Sequence, residues 1–300
     1  MSEYHNPVLL DESVSALVCN PGGFYADATF GGGGHSREIL SRLGPEGRLM
    51  AFDRDSDALR NAIDDPRFTL VHNNFRFIHN YTLLNAPEGL DGILADLGVS
   101  SHQFDTASRG FSFRYSSPLD MRMNVQGTTT AADIVNSYTQ GELEKILKIY
   151  GEVENAHKMA QLICSARETS PISTTDHLDN AIAAALPTFA QHKVLAKVYQ
   201  ALRIEVNQEM RSLEKFLQGA TDSLKSGGRL VVITYHSLED RMVKNFIRCG
   251  NVEGEENKDI YGRSLSPLKA VNRKPILPEE TEIENNTRAR SAKLRIAEKI

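Results

Sequence analysis

Four consecutive glycines, Gly31–Gly34, lie between a strand-like segment and a helix-like segment. Glycines at such a place let a backbone approach a ligand closely and direct helix N–H groups at a carboxylate or phosphate, although they also suit a plain tight turn. A G-x-G-x-x-G fingerprint beginning at Gly31 would need a third glycine where Ser36 stands, and no G-K-[ST] follows. The tract therefore indicates a ligand loop or a turn, and it weighs against a dinucleotide or ATP.

Acidic residues close the neighbouring strand-like segments. Asp53 comes about 20 residues after the glycines, where a carboxylate can accept hydrogen bonds from both hydroxyls of a ribose; the alternative is a solvated acid at a strand end. Asp27 lies inside the first segment and could orient the loop, bind an ammonium group or serve the structure alone. Asp96 precedes Ser100 and Ser101 at the end of the fourth segment. Because the carboxyl ends of parallel strands share one edge of a sheet, we expect these groups to converge there.

The segment Arg109–Tyr115 alternates three aromatic residues with polar ones and carries two arginines. Aromatic faces stack bases and arginines hold phosphates, so the segment could receive a single-stranded or extruded nucleotide. The same rings could equally pack into the interior of a domain. The residues alone leave both interpretations open.

The segment Tyr235–Asp240 follows a fifth strand-like run and begins a helix. Ser237 with Asp240 fits a capping box, which makes capping the default role of Ser237. His236 would then lie at the same sheet edge as the acids. Adjacent His236 and Ser237 cannot easily form a nucleophile and its base, and the sequence contains no G-x-S-x-G, so a serine hydrolase is disfavoured.

The C-terminal segment has a local excess of basic residues. Against one acid, Glu298, it carries Arg288, Arg290, Lys293, Arg295 and Lys299. These side chains could contact RNA, or they could form the solvated face of an edge strand, which is the favoured alternative.

Alternating strand-like and helix-like segments predict an α/β fold built from consecutive βα units. The expected strands are Phe24–Phe30, Arg48–Asp53, Phe68–Val71, Asp91–Asp96, Arg229–Tyr235 and Ala292–Ala297. The apolar character of the fifth strand suits a buried parallel strand, whereas the alternation in the last one suggests a single buried face.

Between about residues 130 and 217 the sequence predicts only helices, two of them with capping boxes that begin at Thr139 and Ser173. The pattern therefore predicts a domain interrupted by an insertion. The expected boundaries are 1–108 and 207–300 for the α/β domain and 109–206 for an all-helical insertion with a role in substrate recognition.

Composition excludes several classes of protein. The 300 residues are 40% hydrophobic and 24% charged, which fits a folded globular chain. A net charge of −5 gives no general attraction for nucleic acid or anionic membranes, so an RNA contact needs local basic patches. The three cysteines lack metal-ligand spacing, so no metal site and no disulfide framework is expected. Without a signal sequence or an apolar stretch of ~18 residues, we expect a cytoplasmic protein with no membrane contact.

Several long motifs occur in a fixed order along nearly the whole chain. They are His5–Leu9, Asp27–Ser36, Ala51–Asp55, Asp96–Ser101, Arg109–Phe113, Leu119–Met123, Ala201–Ile204, Tyr235–Arg241 and Arg288–Leu294. In this order they resemble the bacterial MraW family of ribosomal RNA small subunit methyltransferases that modify cytosine N4. The resemblance implies a class I S-adenosylmethionine-dependent methyltransferase, with a Rossmann-like seven-stranded sheet and an inserted all-helical domain. It also implies methylation of the N4 amine of a cytidine in the decoding centre, the P-site region, of 16S rRNA.

Carried over motif by motif, the resemblance assigns seven residues to an S-adenosylmethionine site. These residues are Gly33, Gly34, His35, Asp53, Phe75, Asp96 and Gln103. Among them, Asp53 would bind the ribose of the adenosine and Phe75 would lie beside the adenine.

The acceptor side of the reaction is assigned less completely. Many amino-methyltransferases place a Pro-Pro-Tyr segment after strand four to hold the amine, and the residues that follow Asp96 lack it. We hypothesise that Asp96, as the catalytic residue, or backbone carbonyls near Gly98 orient the amine. The residues expected near the base are Phe111, Arg122, His236 and Ser237.

Two other functions stay open on the sequence alone. One is a non-catalytic RNA-binding ribosome assembly factor, and the less favoured one is a nicotinamide-dependent oxidoreductase, which the missing third glycine and the absent second βαβ half disfavour. The expected partner is 16S rRNA within the small ribosomal subunit, because a weakly acidic surface favours docking on preformed RNA and protein. Monomer and homodimer are both open.

Overall fold

A computed structural model describes residues 7–300 of the chain. His5 and Asn6, which open the first motif, lie outside the described part. The chain folds as two compact units, which we call the sheet unit and the helical unit.

The helical unit is a single insertion into the sequence of the sheet unit. The sheet unit comprises the chain up to Gly98 together with Met210–Ile300, and the helical unit comprises Val99–Glu209. The sequence placed the start of the insertion at residue 109. The structure begins the helical unit earlier because Val99 and Phe104 pack against its apolar core.

The first part of the sheet unit alternates helices and strands, as predicted. Its elements are α1 (Leu10–Leu17), β1 (Phe24–Asp27), α2 (Gly34–Arg42), β2 (Arg48–Asp53), β3 (Phe68–His72), α3 (Ile78–Asn85) and β4 (Leu90–Asp96). The helical segment expected after β2 is a 3₁₀ turn, Ser56–Asn61, which begins where the Asp55 side chain accepts the amide of Asp57.

The described part of the helical unit is built from α-helices and turns, so the prediction of helices without strands is confirmed. Its helices are α4 (Ser101–Asp105), α5 (Ala131–Ser137), α6 (Gln140–Ile149), α7 (Ala156–Thr169), α8 (Thr175–Ile182) and α9 (Gln191–Asn207). Leu143, Ile146 and Leu147 form the buried stripe of α6 at helical spacing. Thr139 caps this helix by accepting the Glu142 amide at 3.3 Å, as its capping box predicts.

The chain then completes the sheet unit. The remaining elements are α10 (Glu209–Ser223), β5 (Leu224–Thr234), α11 (Ser237–Cys249), β6 (Leu268–Ala270), α12 (Glu280–Asn285) and β7 (Lys293–Lys299). Within residues 7–300, no helix has both the length and the apolar character that crossing a bilayer requires.

Seven strands form one sheet in the order β3-β2-β1-β4-β5-β7-β6. The pairs from β3 through β5 are parallel, whereas β7 runs antiparallel to both β5 and β6. Separate apolar cores cover the two faces of this sheet. The strand order reverses at β1 and β4, so their carboxyl ends border the crevice where sheets of this kind bind ligands.

The C-terminal strand is not at an edge, contrary to the favoured interpretation of its basic residues. β7 lies between β5 and the short strand β6, which pairs with its outer side. Arg295 Nε donates to Asp240 at 2.7 Å, and Lys293 Nζ donates to the same carboxyl group at 3.3 Å. Two of the five basic side chains are therefore committed to an ion-pair cluster on the sheet.

The cap of α11 is one residue earlier than predicted. His236, not Ser237, is the N-cap residue: its Nδ1 accepts the Glu239 amide at 3.5 Å, and Glu239 Oε2 accepts the His236 amide at 3.4 Å. In the sequence, the pair His236 and Glu239 and the pair Ser237 and Asp240 both have the spacing of a capping box. Asp240 does not cap the helix because its carboxyl group is held by Arg295.

The cap of α8 also differs from the prediction by one residue. Thr174 Oγ1, rather than Ser173, accepts the His177 amide at 3.2 Å. The chain stays extended for one residue more because the Ser173 carbonyl accepts the Leu119 amide and Thr174 bridges to Pro118.

Candidate active site at the carboxyl edge of the sheet

The glycine turn after β1 uses backbone conformations that other residues avoid. Gly31 and Gly33 have φ angles of +51° and +77°. A Cβ atom on Gly33 would lie 2.8 Å from Arg37 Nη1, and one on Gly34 would overlap the ring of Pro7. Gly33 is also the N-cap of α2. The turn thus brings bare backbone and the first turn of a helix to the carboxyl edge, where both can contact a ligand.

Asp53, at the end of β2, fastens the glycine turn to the neighbouring strand. Its Oδ2 accepts the Gly31 amide at 2.8 Å, and its Oδ1 accepts the Asp55 amide at 2.8 Å. Burial raises the pKa of Asp53, and these two amide hydrogen bonds counteract that rise. Each carboxylate oxygen keeps a further lone pair, which is what a ribose hydroxyl would need.

Asp27, at the end of β1, is fully buried and organises the loop. Its Oδ2 accepts the hydroxyl of Ser36 at 2.6 Å, and its Oδ1 accepts the Thr29 amide at 3.0 Å. Burial raises the pKa of Asp27, and nearby His35 opposes the rise. The structure therefore supports the loop-orienting role considered for this residue.

His35 is buried in the first turn of α2. Its Nε2 lies 3.2 Å from the carbonyl oxygen of Val8, which can only accept, so this nitrogen carries a proton. Its Nδ1 lies 3.9 Å from Oδ2 of Asp96. His35 thus connects the N-terminal segment to the end of β4.

Asp96 ends β4 at the centre of the edge. Its amide donates to Thr29 Oγ1 at 2.7 Å, and its Oδ1 accepts the hydroxyl of Tyr235 at 2.7 Å. Burial raises the pKa of Asp96 to about 6, although His35 and the Tyr235 hydrogen bond lower it. The same contact, added to burial, raises the pKa of Tyr235 well above its usual range.

The edge brings together carboxyl groups that have no lysine or arginine partner. Among the described residues, neither Asp27 nor Asp96 is hydrogen-bonded to a lysine or an arginine. Their mutual repulsion and the nearby Glu239 raise the pKa of Asp96 further. A cationic ligand would offset the negative charge of such a cluster. The arrangement fits a ligand that carries positive charge.

Phe75 lies just after β3, in a short 3₁₀ turn capped by Asn74. Its ring is half-buried and meets the ring of Phe216 edge to face, with centroids 5.1 Å apart. A phenyl ring fixed in this way can pack against an adenine at low entropic cost.

His236 and Ser237 lie where β5 leads into α11. His236 Nε2 is 3.1 Å from Glu239 Oε1, and Glu239 Oε2 accepts the Tyr235 amide at 2.9 Å. Ser237 is the first helical residue and is exposed. These residues complete the sheet-unit part of the predicted site.

Three predicted site residues belong to the helical unit. Gln103 lies in α4 and accepts the Ser100 amide at 3.2 Å, as the N3 member of a capping box. Phe111 is a buried core residue, with 6% of its surface exposed. Arg122 Nη2 donates to Asp120 at 2.6 Å, and its Nη1 donates to the Gly127 carbonyl at 2.7 Å. Phe111 follows the packing interpretation of its segment rather than the base-stacking one.

The remaining predicted residues are brought together by the sheet. Those on its carboxyl edge are Gly33, Gly34, His35, Asp53, Phe75, Asp96, His236 and Ser237. Sequence reasoning missed Thr29 and Tyr235 as direct partners of Asp96. The position of Tyr235 after an apolar strand was visible, but its contact depends on the register between β4 and β5, which no single segment encodes.

A parallel sheet with one antiparallel strand near its edge, a glycine turn after β1 and acids after β2 and β4 define a class I methyltransferase, which takes its methyl group from S-adenosylmethionine. The chain belongs to the MraW methylase family, whose model matches residues 2–300, so the family inferred from the motifs is confirmed.

Two relatives support this membership over the full length. Ribosomal RNA small subunit methyltransferase H of Bacteroides fragilis strain YCH46 is 56% identical over 296 residues, covering 99% of this chain and 97% of that protein. The protein of the same name from Flavobacterium johnsoniae is 53% identical over 298 residues, covering 99% and 98%. A solved rRNA methylase from Streptococcus thermophilus is 12% identical, with 97% and 93% of the two chains covered and a TM-score of 0.40.

Proposed function

We propose that the protein methylates the N4 amine of a cytidine in the decoding centre of 16S rRNA, with S-adenosylmethionine as the methyl donor and the small ribosomal subunit as the substrate particle. The name shared by its relatives supports action on small-subunit rRNA. The observation that carries the chemistry is the pair of buried Asp27 and half-buried Asp96, which is hydrogen-bonded to no lysine or arginine among the described residues and has only His35 as a nearby basic group. A cytoplasmic location follows from this substrate.

The residues of the edge fit the cofactor. S-adenosylmethionine carries positive charge at its sulfonium and ammonium groups, which the carboxyl groups of Asp27 and Asp96 would compensate. Asp53 would bind the ribose hydroxyls, and Phe75 would lie beside the adenine. The cofactor residues that complete this proposal are Gly33, Gly34, His35 and Gln103.

When bound, the cofactor supplies a methyl group that is already activated for transfer. The protein must therefore align the acceptor and hold its proton. Transfer to N4 would break the carbon–sulfur bond of the cofactor and would release one proton from the amine. We assign Asp96 as the group that accepts a hydrogen bond from the amine and then its proton. A carboxyl group with a pKa of about 6 is largely ionised at neutral pH and is still basic enough to accept a proton.

The helical unit is proposed to recognise the rRNA. Phe111 and Arg122 are the residues of this unit that we propose for contact with the base. His236 and Ser237, which belong to the sheet unit, are proposed for the base independently. Because Phe111 is buried and Arg122 is held by Asp120, their expected role is to shape the surface around the base rather than to take part in proton transfer.

The deciding experiment transfers an isotope-labelled methyl group from S-adenosylmethionine to small subunits that lack the modification. After digestion of the rRNA, mass spectrometry should identify labelled N4-methylcytidine. Label on another nucleoside would replace the proposed acceptor. A cofactor-binding protein that transfers no label would favour the assembly-factor function, and nicotinamide in the mass of the bound cofactor would favour an oxidoreductase.

A matched pair of variants tests the assignment of Asp96. Asp96→Asn should remove nearly all transfer. Asp91→Asn, at the other end of β4, makes the same chemical change and should leave transfer per folded molecule near normal. Full activity in Asp96→Asn would exclude a catalytic share for this carboxyl group.

A further inference from the structure

Tyr235 is the side chain in closest contact with the carboxyl group of Asp96. Its hydroxyl donates to Oδ1 at 2.7 Å. Because Asp96 pairs with Ile233 in the register of β4 and β5, Tyr235 lies two residues farther along and on the same face. The contact is therefore set by the strand pairing that forms the centre of the sheet.

The two oxygens of Asp96 have different surroundings. Oδ1 is occupied by Tyr235, whereas Oδ2 accepts no hydrogen bond from the described residues. His35 Nδ1 lies 3.9 Å from Oδ2, which is beyond hydrogen-bond distance. Within residues 7–300, one oxygen is held by a hydrogen bond and the other has no donor.

Tyr235 is itself held in place through both its backbone and its ring. Its amide donates to Glu239 Oε2 at 2.9 Å, which ties it to the capped first turn of α11. Its ring packs beside Gly98, where a Cβ atom would come within 3.4 Å of the ring. Gly98 has a φ of +106°, so the backbone after β4 bends in a way that suits glycine. A rigid donor of this kind fixes the orientation of the carboxylate that it contacts.

We propose that Tyr235 is a positioning residue that holds Oδ1 of Asp96 and thereby presents Oδ2 to the amine that receives the methyl group. This inference rests on the proposed function, since it names how the same carboxyl group is oriented. Tyr235 itself stays protonated throughout.

The first test needs neither cofactor nor rRNA. Carbon-13 NMR of protein labelled at aspartate carboxyl groups, assigned by comparison with Asp96→Asn, follows the titration of Asp96. The wild-type midpoint is expected near pH 6. Tyr235→Phe removes a hydrogen bond to the ionised form, so its midpoint should rise by about one pH unit.

The matched control is Tyr25→Phe, which removes the hydroxyl of a second tyrosine in the sheet unit, one that is fully buried. Tyr25 Oη donates to the Asn20 carbonyl at 2.9 Å, before the amino end of β1. This variant should lose stability without moving the Asp96 titration. If Asp96 titrated at the same pH in the wild type and in Tyr235→Phe, the Tyr235 hydroxyl would not stabilise the ionised carboxylate, and the proposal would be wrong.

The second test is a double-mutant cycle on single-turnover methyl transfer. Tyr235→Phe keeps the ring beside Gly98, so the protein should fold; transfer should fall about 10- to 100-fold, and its acidic limb should shift to higher pH. Affinity for the cofactor should change less than threefold. In the Asp96→Asn background, adding Tyr235→Phe should cost nothing more, because the group that it positions is gone.

The outcomes separate the two proposals. A wild-type protein that transfers no methyl group to rRNA contradicts the proposed function. An active wild type, with Tyr235→Phe active to the same extent or with losses that simply add to those of Asp96→Asn, contradicts the positioning role alone.

Discussion

The two ends of β4 carry the same side chain in opposite states. Asp91, at the amino end, accepts hydrogen bonds from Lys225 at 2.7 Å, from Asn20 at 3.1 Å and from the Phe24 amide at 3.0 Å. Burial is the largest influence and raises its pKa, but these partners together hold the pKa below its ordinary range. Asp96, at the carboxyl end, has a neutral tyrosine hydroxyl as its donor, and burial raises its pKa to about 6.

The difference separates a group placed for stability from a group placed for binding. Asp91 is ionised and satisfied, so it ties the loop before β1 to the start of β5. Asp96 is half-buried with no lysine or arginine beside it, and its raised pKa means that its ionised form costs folding free energy until a cationic ligand binds. Active sites commonly keep such unfavourable groups because function depends on them.

Asp96→Asn should show the largest effect of any change at the two ends. Methyl transfer should fall about 10²- to 10⁴-fold, because the amine loses its proton acceptor. The ligand-free variant should nevertheless be more stable than the wild type. The folded pKa lies above the unfolded value, so wild-type stability decreases as pH rises from about 4 to 6.

The stability gain of Asp96→Asn should therefore depend on pH. It should reach roughly 1–3 kcal/mol at pH 7.5 and nearly vanish at pH 4, as measured by urea unfolding without cofactor. Equal gains at both pH values would show that the raised pKa is not the cause.

Asp91→Asn should have the opposite signature. Loss of the contact with Lys225 should reduce the free energy of unfolding by about 1–2 kcal/mol at pH 7, with methyl transfer per folded molecule unchanged. The folded pKa of Asp91 is lowered, so its contribution is present above the unfolded value of about 4 and is lost as pH falls below it. A large loss of transfer in this variant would break the distinction between the two ends.

Affinity for S-adenosylmethionine should increase with pH across the titration of Asp96. A cationic ligand prefers the ionised carboxylate, which is a minor species below its pKa of about 6. Isothermal titration calorimetry should find binding about tenfold weaker at pH 5 than at pH 7 in the wild type. In Asp96→Asn, this dependence should largely disappear.

The smallest expected effect concerns close packing at the amino end. A Cβ atom on Gly23 would lie 2.7 Å from Cγ of Asp91, so Gly23→Ala should displace that carboxyl group and destabilise the protein by about 1 kcal/mol. Gly141→Ala, in α6, meets nothing within 4 Å and should be neutral or stabilising. Thermal unfolding measures both, and cofactor affinity should stay unchanged in each.

Local patterns in the sequence predicted much of this edge. Apolar runs located the strands, and the acids at their ends predicted the convergence of Asp53 and Asp96, because parallel strands finish at one edge whatever their register. Tyr235 was missed as the partner of Asp96 because their contact depends on pairing between strands far apart in sequence. The cap of α11 was misplaced for a similar reason: only the tertiary contact of Asp240 with Arg295 distinguishes the two capping boxes.

The sequence was ambiguous where one residue type serves packing and binding alike. The aromatic residues of Arg109–Tyr115 could stack on a base or fill a core. The structure places Phe111 inside the helical unit and leaves Tyr115 with 55% of its surface exposed. Burial of alternate rings depends on the helices that surround them, so periodicity alone did not assign each ring.

The order of the strands has a consequence for synthesis. β4 pairs with β5, and because residues 97–223 lie between the two strands, this pairing cannot form until that stretch has been synthesised. At about 5–20 residues per second, a ribosome needs roughly 6–25 s to make this stretch. During that time the apolar strand Leu90–Asp96 is an unpaired edge in the nascent chain, open to pairing with other chains. Asp91 and Asp96 flank its apolar centre with charge, so two carboxyl groups with different roles in the finished strand would share an earlier one, as gatekeepers against aggregation.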